Sequence, residues 1–183
     1  WLEKPAEAVH EVKIDPGMAF GTGTHATTKM ASYFIYKLSQ EYTDEVRNWS
    51  MLDVGTGTAI LAVLAEKLNY GLITGVEIDE QARRKARENC ELNQTKNIDI
   101  TEKQLDEIKD QYDVVVANII DGVLIKIQKD LLRAVKPNGH LFLTGILQER
   151  DNHFFEKMIE HNPLKVIKRI QKDEWIGYWV QKT

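Results

Sequence analysis

"LDVGTGTAILAVLAEKL", Leu52–Leu68, decides the fold. The apolar run "SMLDV" ends at Gly55 and Gly57, and a helix-spaced run begins directly behind them, with Ile60, Leu61, Leu64 and Leu68 on one face. The pattern is a buried strand, a tight turn and a helix, with the glycines at the carboxyl end of the strand. Open α/β sheets bind ligands at that edge. Glycines there let the backbone approach a ligand and adopt dihedrals closed to other residues. A tight turn with no ligand would use the same glycines, so the pair alone leaves function open.

Upstream, Met30, Ala31, Phe34, Ile35 and Leu38 recur at helical spacing. Downstream, "LITGVEI" (72–78) reads as a second strand and "DEQARRKARENCELN" (79–93) as a charged, solvent-facing helix capped by Asp79. "NIDIT" (97–101) and "DVVVAN" (113–118) supply a third and fourth strand. A helix over 122–135 follows, with Leu124, Ile127 and Leu131 on one face, then a "KPNG" turn and the strand "HLFLTGI" (140–146). Strands alternating with helices imply a parallel, doubly wound α/β sheet. After a helix over 150–162 the alternation stops. "LKVIKRIQ" and "EWIGYWVQK" are separated only by Lys172 and Asp173, which favours an antiparallel hairpin. Five parallel strands plus a C-terminal antiparallel hairpin point to a seven-stranded, Rossmann-like class I methyltransferase sheet with one reversed strand.

The length of 183 residues suits one domain with a full core, so residues 1–183 are read as a single domain. No apolar run is long enough to span a bilayer, and the opening "WLEKPAEAVHEV" lacks a secretory pattern. The single cysteine, Cys90, allows no internal disulfide and fits a reducing, cytoplasmic setting, where it reads as a half-buried packing residue. A formal net charge of −4 argues against direct nucleic-acid binding and is compatible with a basic protein partner. The five histidines and one cysteine show no metal-ligand spacing, so no metal is expected.

Candidate site residues gather at the strand ends. Asp53, Gly55 and Gly57 lie in the glycine turn. Glu77 closes the second strand, 22 residues after Gly55, where an acid can accept hydrogen bonds from ribose hydroxyls. A dinucleotide fingerprint needs a third glycine three residues after Gly57, and that position is Ile60. Its bulk disfavours a pyrophosphate, so an adenosine ligand without phosphates, such as S-adenosylmethionine, fits better than NAD. Asn118 closes the fourth strand, where its amide oxygen and a nearby backbone carbonyl can orient an incoming amine; a plain turn-capping Asn is the alternative. Asp121 reads as the cap of the next helix or as a holder of an ammonium group.

"DPGMAFGTGTHATT" (15–28), the glycine stretch, "GVEIDEQA" (75–82), "VVVANI" (114–119) and "LTGIL" (143–147) together resemble the PrmA-type ribosomal protein methyltransferases, from Asp15 onward. The resemblance implies transfer of methyl groups from S-adenosylmethionine to lysine side chains and the terminal amine of the eleventh large-subunit ribosomal protein. It implies that Thr28, Gly55, Glu77 and Asn118 contact the cofactor or its surroundings. Phe20 and the Gly21–His25 turn would form a flap over the methionine end. The alternative reading of Thr28 is a helix-start hydroxyl, and that of His25 a side chain bonded to its own turn. A separate N-terminal recruiting domain is also implied, with residues 1–14 as the linker from it. Ala59 replaces a glycine common in the family's loop, "SQEYTDEVRNWS" is longer than the usual connection, and Asp121 stands at a position that is often apolar. A methyltransferase for another protein or a small molecule, and a non-catalytic S-adenosylmethionine-binding module, are the competing readings.

Overall fold

The computed structural model describes residues 11–15 and 23–183. Seven strands, β1 (Met51–Val54), β2 (Ile73–Val76), β3 (Ile98–Thr101), β4 (Tyr112–Asn118), β5 (Val135–Leu147), β6 (Leu164–Lys172) and β7 (Trp175–Lys182), form one sheet in the order β3-β2-β1-β4-β5-β7-β6. β1 to β5 pair in parallel, whereas β7 runs antiparallel to both β5 and β6. β6 therefore points the same way as β1–β5, and β7 is the one reversed strand. The hairpin expected from the two-residue link is present.

Alternation along the central strands explains why they read as continuous apolar runs. Val115, Ala117, Leu141 and Leu143 face one core layer with Leu124, Leu131 and Phe154. Val114, Val116 and Phe142 face the other, with Phe34, Leu38, Leu61 and Trp179. A parallel sheet covered on both faces is apolar on both.

α1 (Ala26–Glu41) buries Met30, Ala31, Phe34, Ile35 and Leu38, as its spacing predicts. α2 (Ile60–Lys67) differs from expectation, since it buries Leu61, Ala62, Val63 and Ala65 while Ile60 and Leu64 are only partly covered. α3 (Glu80–Leu92) is capped by Asp79, whose carboxylate accepts from Ala82 N at 2.7 Å. The helix predicted over 122–135 is two pieces, α4 (Asp121–Lys126) and α5 (Gln128–Ala134), joined at Ile127. Hydrogen bonds from Ile127 N to Val123 O and from Leu131 N to Ile127 O carry the chain through the joint, so Leu124 and Leu131 still share one core. The helix predicted over 150–162 starts as α6 (Asp151–Phe154) and widens into a π-helix over Phe155–Glu160.

"KPNG" is an excursion within β5 rather than a turn before it. Val135 stands opposite Tyr112 and His140 opposite Val114, with Asn138 at φ +62° between them. Cys90 is half-buried and packs against the α2 layer, as expected. Among the described residues, no helix is long and apolar enough to cross a membrane.

Candidate functional site

The glycine turn leaves β1 with φ positive at three alternate residues, Gly55 (+69°), Gly57 (+55°) and Ala59 (+62°). Gly55 N and Thr56 N both donate to Val76 O, at 2.8 and 3.0 Å, which fastens the turn to the end of β2. Gly55 is exposed, and a Cβ there would lie 3.1 Å from Ile119 Cδ1 just past β4. The turn thus faces the carboxyl ends of β1, β2 and β4 together.

Two acids hold this turn. Asp53 is buried beneath it and accepts from Thr56 Oγ1 at 2.7 Å. Burial pushes its carboxyl up to about 6, against hydrogen bonds from Thr56 and the Ala62 backbone, and the charge of Glu77 adds to the rise. Its place is under the turn, with Thr56 as its partner. Glu77 Oε2 accepts from Gly57 N at 3.1 Å, and Oε1 from Asp79 N at 3.0 Å. Arg83, nearly buried on α3, donates to the carbonyls of Glu77 and Ile78 at 3.0 and 2.8 Å and pairs with Glu102. Arg83 was not singled out by sequence reading, because one arginine in a highly charged helix carries no visible mark.

Asn118 closes β4 between two fully buried threonines. Its Nδ2 donates to Thr28 Oγ1 at 3.3 Å, and its Oδ1 accepts from Thr144 Oγ1 at 3.0 Å. The structure therefore brings Thr28 of α1 to Asn118, 90 residues away in sequence. Thr144 is the neighbour of Asn118 across the β4–β5 pair. Sequence reading missed it, although it lies within "LTGIL". Gly145 follows at φ +98°, where a Cβ would overlap the Ile119 carbonyl. That glycine lets β5 approach the residue after Asn118.

Phe20 and Gly21 lie outside the described residues. His25 caps α1, its Nδ1 accepting from Thr27 N at 3.4 Å and lying 2.8 Å from Thr27 Oγ1, and its ring packs edge-on against Trp175. Bonding to its own turn is thus what the structure records for His25. Asp121 is not a cap. It is the first residue of α4, Ile120 occupies the cap position, and no side chain bonds there. Asp121 is buried, with Oδ2 2.7 Å from Arg150 Nε in an ion pair whose alignment gives no hydrogen bond. An arginine arriving from the far end of β5 outcompetes the local backbone amides for this carboxylate.

Beyond Thr144, a cavity of about 480 Å³ opens at the end of β5, lined by Leu147, Gln148, Glu149 and Glu174. Gln148 N donates to Glu174 O at 2.8 Å and holds the β6–β7 turn against it. Two of its lining residues, Glu149 and Glu174, are acidic, which suits a cationic group.

Comparisons with known proteins agree with this layout. The family profile described as ribosomal protein L11 methyltransferase (PrmA) matches residues 1–183. A ribosomal protein L11 methyltransferase of Acetivibrio thermocellus is 36% identical over 167 residues, covering 91% of this chain and 51% of that protein. One from Thermotoga maritima is 35% identical over 175 residues, covering 94% and 62%. The chain thus spans about half the length of the curated relatives it matches. The crystal structure of the ribosomal protein L11 methylase from Lactobacillus delbrueckii subsp. bulgaricus superposes with a TM-score of 0.85 at 27% identity, covering 97% of this chain and 89% of that one. With a family profile matched from end to end and a seven-stranded sheet of the same architecture, the chain belongs to the ribosomal protein L11 methyltransferase (PrmA) family.

Proposed function

We propose that this chain is the catalytic part of an S-adenosylmethionine-dependent protein methyltransferase that modifies amines of a basic large-subunit ribosomal protein, the L11 protein, in the cytoplasm. The observation that carries the reading is the Asn118 amide, fixed between Thr28 and Thr144 at the strand end beside the glycine turn. The residues present fit the cofactor. Glu77 offers a carboxylate for ribose hydroxyls, Gly55 leaves room where a side chain would intrude, and the stretch Val54–Ile60 carries no lysine or arginine to neutralise phosphates. When bound, S-adenosylmethionine supplies a methyl group on a sulfonium, and the group left behind is a neutral thioether.

The chain's own residues then have three tasks. Glu77 and the backbone of Gly55 and Gly57 hold the nucleoside, with Asp53 bracing the turn from below. Thr28, bonded to Asn118, stands toward the methionine end, and the family resemblance gives Phe20 and Gly21 a cofactor-binding role there. Asn118 orients the acceptor: Thr144 occupies one lone pair of Oδ1, and the second remains for an amine N–H. A lysine amine with a pKa near ~10.4 is only ~0.1% neutral at pH ~7.4, so the site must favour the deprotonated form. Ile120, 62% exposed directly after Ile119, adds apolar surface that desolvates the amine and lowers its pKa. Water takes the proton, and Glu149 and Glu174 draw the cationic acceptor to the cavity.

The test is intact-mass spectrometry of purified L11 protein incubated with S-adenosylmethionine and this protein. Methyl increments confined to lysine side chains or the terminal amine are expected. Transfer to no amine of L11, with transfer to another acceptor, would reassign the substrate.

A further inference from the structure

Asn89 of α3 and Asn93, which caps the C-terminal end of that helix, lie one turn apart and both grip the backbone of the segment Lys13–Asp15. Asn93 Oδ1 accepts from Lys13 N at 2.9 Å, and its Nδ2 donates to Lys13 O at 2.6 Å. Asn89 repeats the pattern on Asp15, accepting from its N at 2.9 Å and donating to its O at 3.2 Å. The spacing explains the match. Four residues of helix rise about 6 Å, and two residues of near-extended chain span about 6.6 Å. Lys85, a further turn back on the same face, pairs with the Asp15 carboxylate at 3.0 Å.

Asn89 has one more bond. Its Nδ2 also donates to Thr58 O at 3.0 Å, inside the turn that runs from Gly55 to Ala59. Asn89 is 1% exposed, and these bonds use both Nδ2 hydrogens and one lone pair of Oδ1. A buried amide is costly when its bonds are broken. Undocking Lys13–Asp15 would strip two of the three and leave Asn89 to reorient, with Thr58 losing the orientation it now has. One residue away, Gly57 N is held by Glu77.

We infer that Asn89 couples docking of the Lys13–Asp15 segment to the shape of the Gly55–Ala59 turn, so that segment and adenosyl cofactor bind cooperatively. The inference rests on the cofactor reading given above. Coupling of this kind is reciprocal: cofactor binding tightens the segment by the same factor that the docked segment tightens the cofactor. The four bonds from the asparagines go to backbone atoms of Lys13 and Asp15, so Asn89 is a positioning residue that reads the segment's backbone.

The experiment combines calorimetry with S-adenosylhomocysteine and amide hydrogen exchange at Asp15. In the wild type, ligand is expected to slow exchange at Asp15 by roughly tenfold. Asn89→Asp keeps the acceptor for Asp15 N but removes both donors, and should weaken the ligand about tenfold while abolishing the ligand-dependent protection. Asp15→Pro deletes the N–H that donates to Asn89 Oδ1 and changes no residue of α3, so it reports even where the α3 variant folds poorly; it should weaken the ligand comparably, whereas Asp15→Ala, which removes only the carboxylate paired with Lys85, should not. The double variant should be no weaker than the worse single one, because both break one coupling. Ligand affinities within about twofold of wild type in both variants, or additive losses, would overturn the coupling while leaving the cofactor site standing. A wild type that binds no S-adenosylhomocysteine would overturn the cofactor reading and this inference with it.

Discussion

Asn118 bonds two neighbours, Thr28 and Thr144, and in the proposed mechanism its remaining Oδ1 lone pair goes to the acceptor amine. Asn118→Ala removes the group that aligns the amine but leaves the glycine turn intact. Turnover should fall on the order of 10²-fold, comparable to the loss of one preorganised polar contact, while calorimetry should find cofactor affinity little changed. Turnover equal to wild type would remove Asn118 from the mechanism. Gly55→Arg acts on the other half of the site. At φ +69°, with Ile119 Cδ1 3.1 Å from any Cβ, an arginine both strains the turn and fills the space above it. No cofactor binding is expected by calorimetry, and retained affinity would place the site elsewhere. Glu77 and Asn118 were legible in the sequence because a polar residue closing an apolar strand stands out. Thr144, Arg83 and Asn89 were not, since each acquires its role only by meeting a partner that folding brings near: Asn118 for Thr144, the Glu77 carbonyl for Arg83, and Thr58 with Asp15 for Asn89.

Within the elements, β5 carries the sharpest constraint. Gly145 at φ +98° presses against the Ile119 carbonyl, so Gly145→Ala should destabilise by at least ~2 kcal/mol and displace Thr144 from Asn118. Denaturant unfolding measures the first effect, and wild-type stability in this variant would contradict the packing. β1 and β5 also hold two groups whose titrations oppose each other. Asp53 is raised from 3.8 to about 6 by burial, so the folded state binds its proton more tightly and stability falls as pH rises through that window. His140, buried beside Trp179 and lowered from 6.5 to about 4, binds its proton less tightly when folded, so its contribution to stability is lost as pH falls from 6.5 toward 4. Asp53→Asn removes the first slope. Relative to wild type, this variant should be more stable at neutral pH than at pH ~4 by roughly 2 kcal/mol. A difference independent of pH would mean that burial does not raise the Asp53 carboxyl. The strands and α1 were readable from period alone. The break at Ile127 was not, because no local residue dictates it; at Lys136–Gly139 the turn residues were visible but not that β5 begins before them, since the pairing of Val135 with Tyr112 is long-range.

For the whole molecule, the reversal of β7 was visible in a two-residue link, whereas the order β3-β2-β1-β4-β5-β7-β6 was not. Strand order is a product of long-range pairing that periodicity does not encode. That order puts the ends of β1, β2 and β4 side by side, and so unites Gly55, Glu77 and Asn118, which are spread over 64 residues of sequence. An adenosyl cofactor without phosphates is expected to bind at this shared edge. Titration calorimetry of the protein with S-adenosylmethionine, with NADH as control, tests it most directly. One site of micromolar affinity for S-adenosylmethionine, and no heat of binding with NADH, is the expected result. Binding of NADH, or of neither ligand, would contradict it.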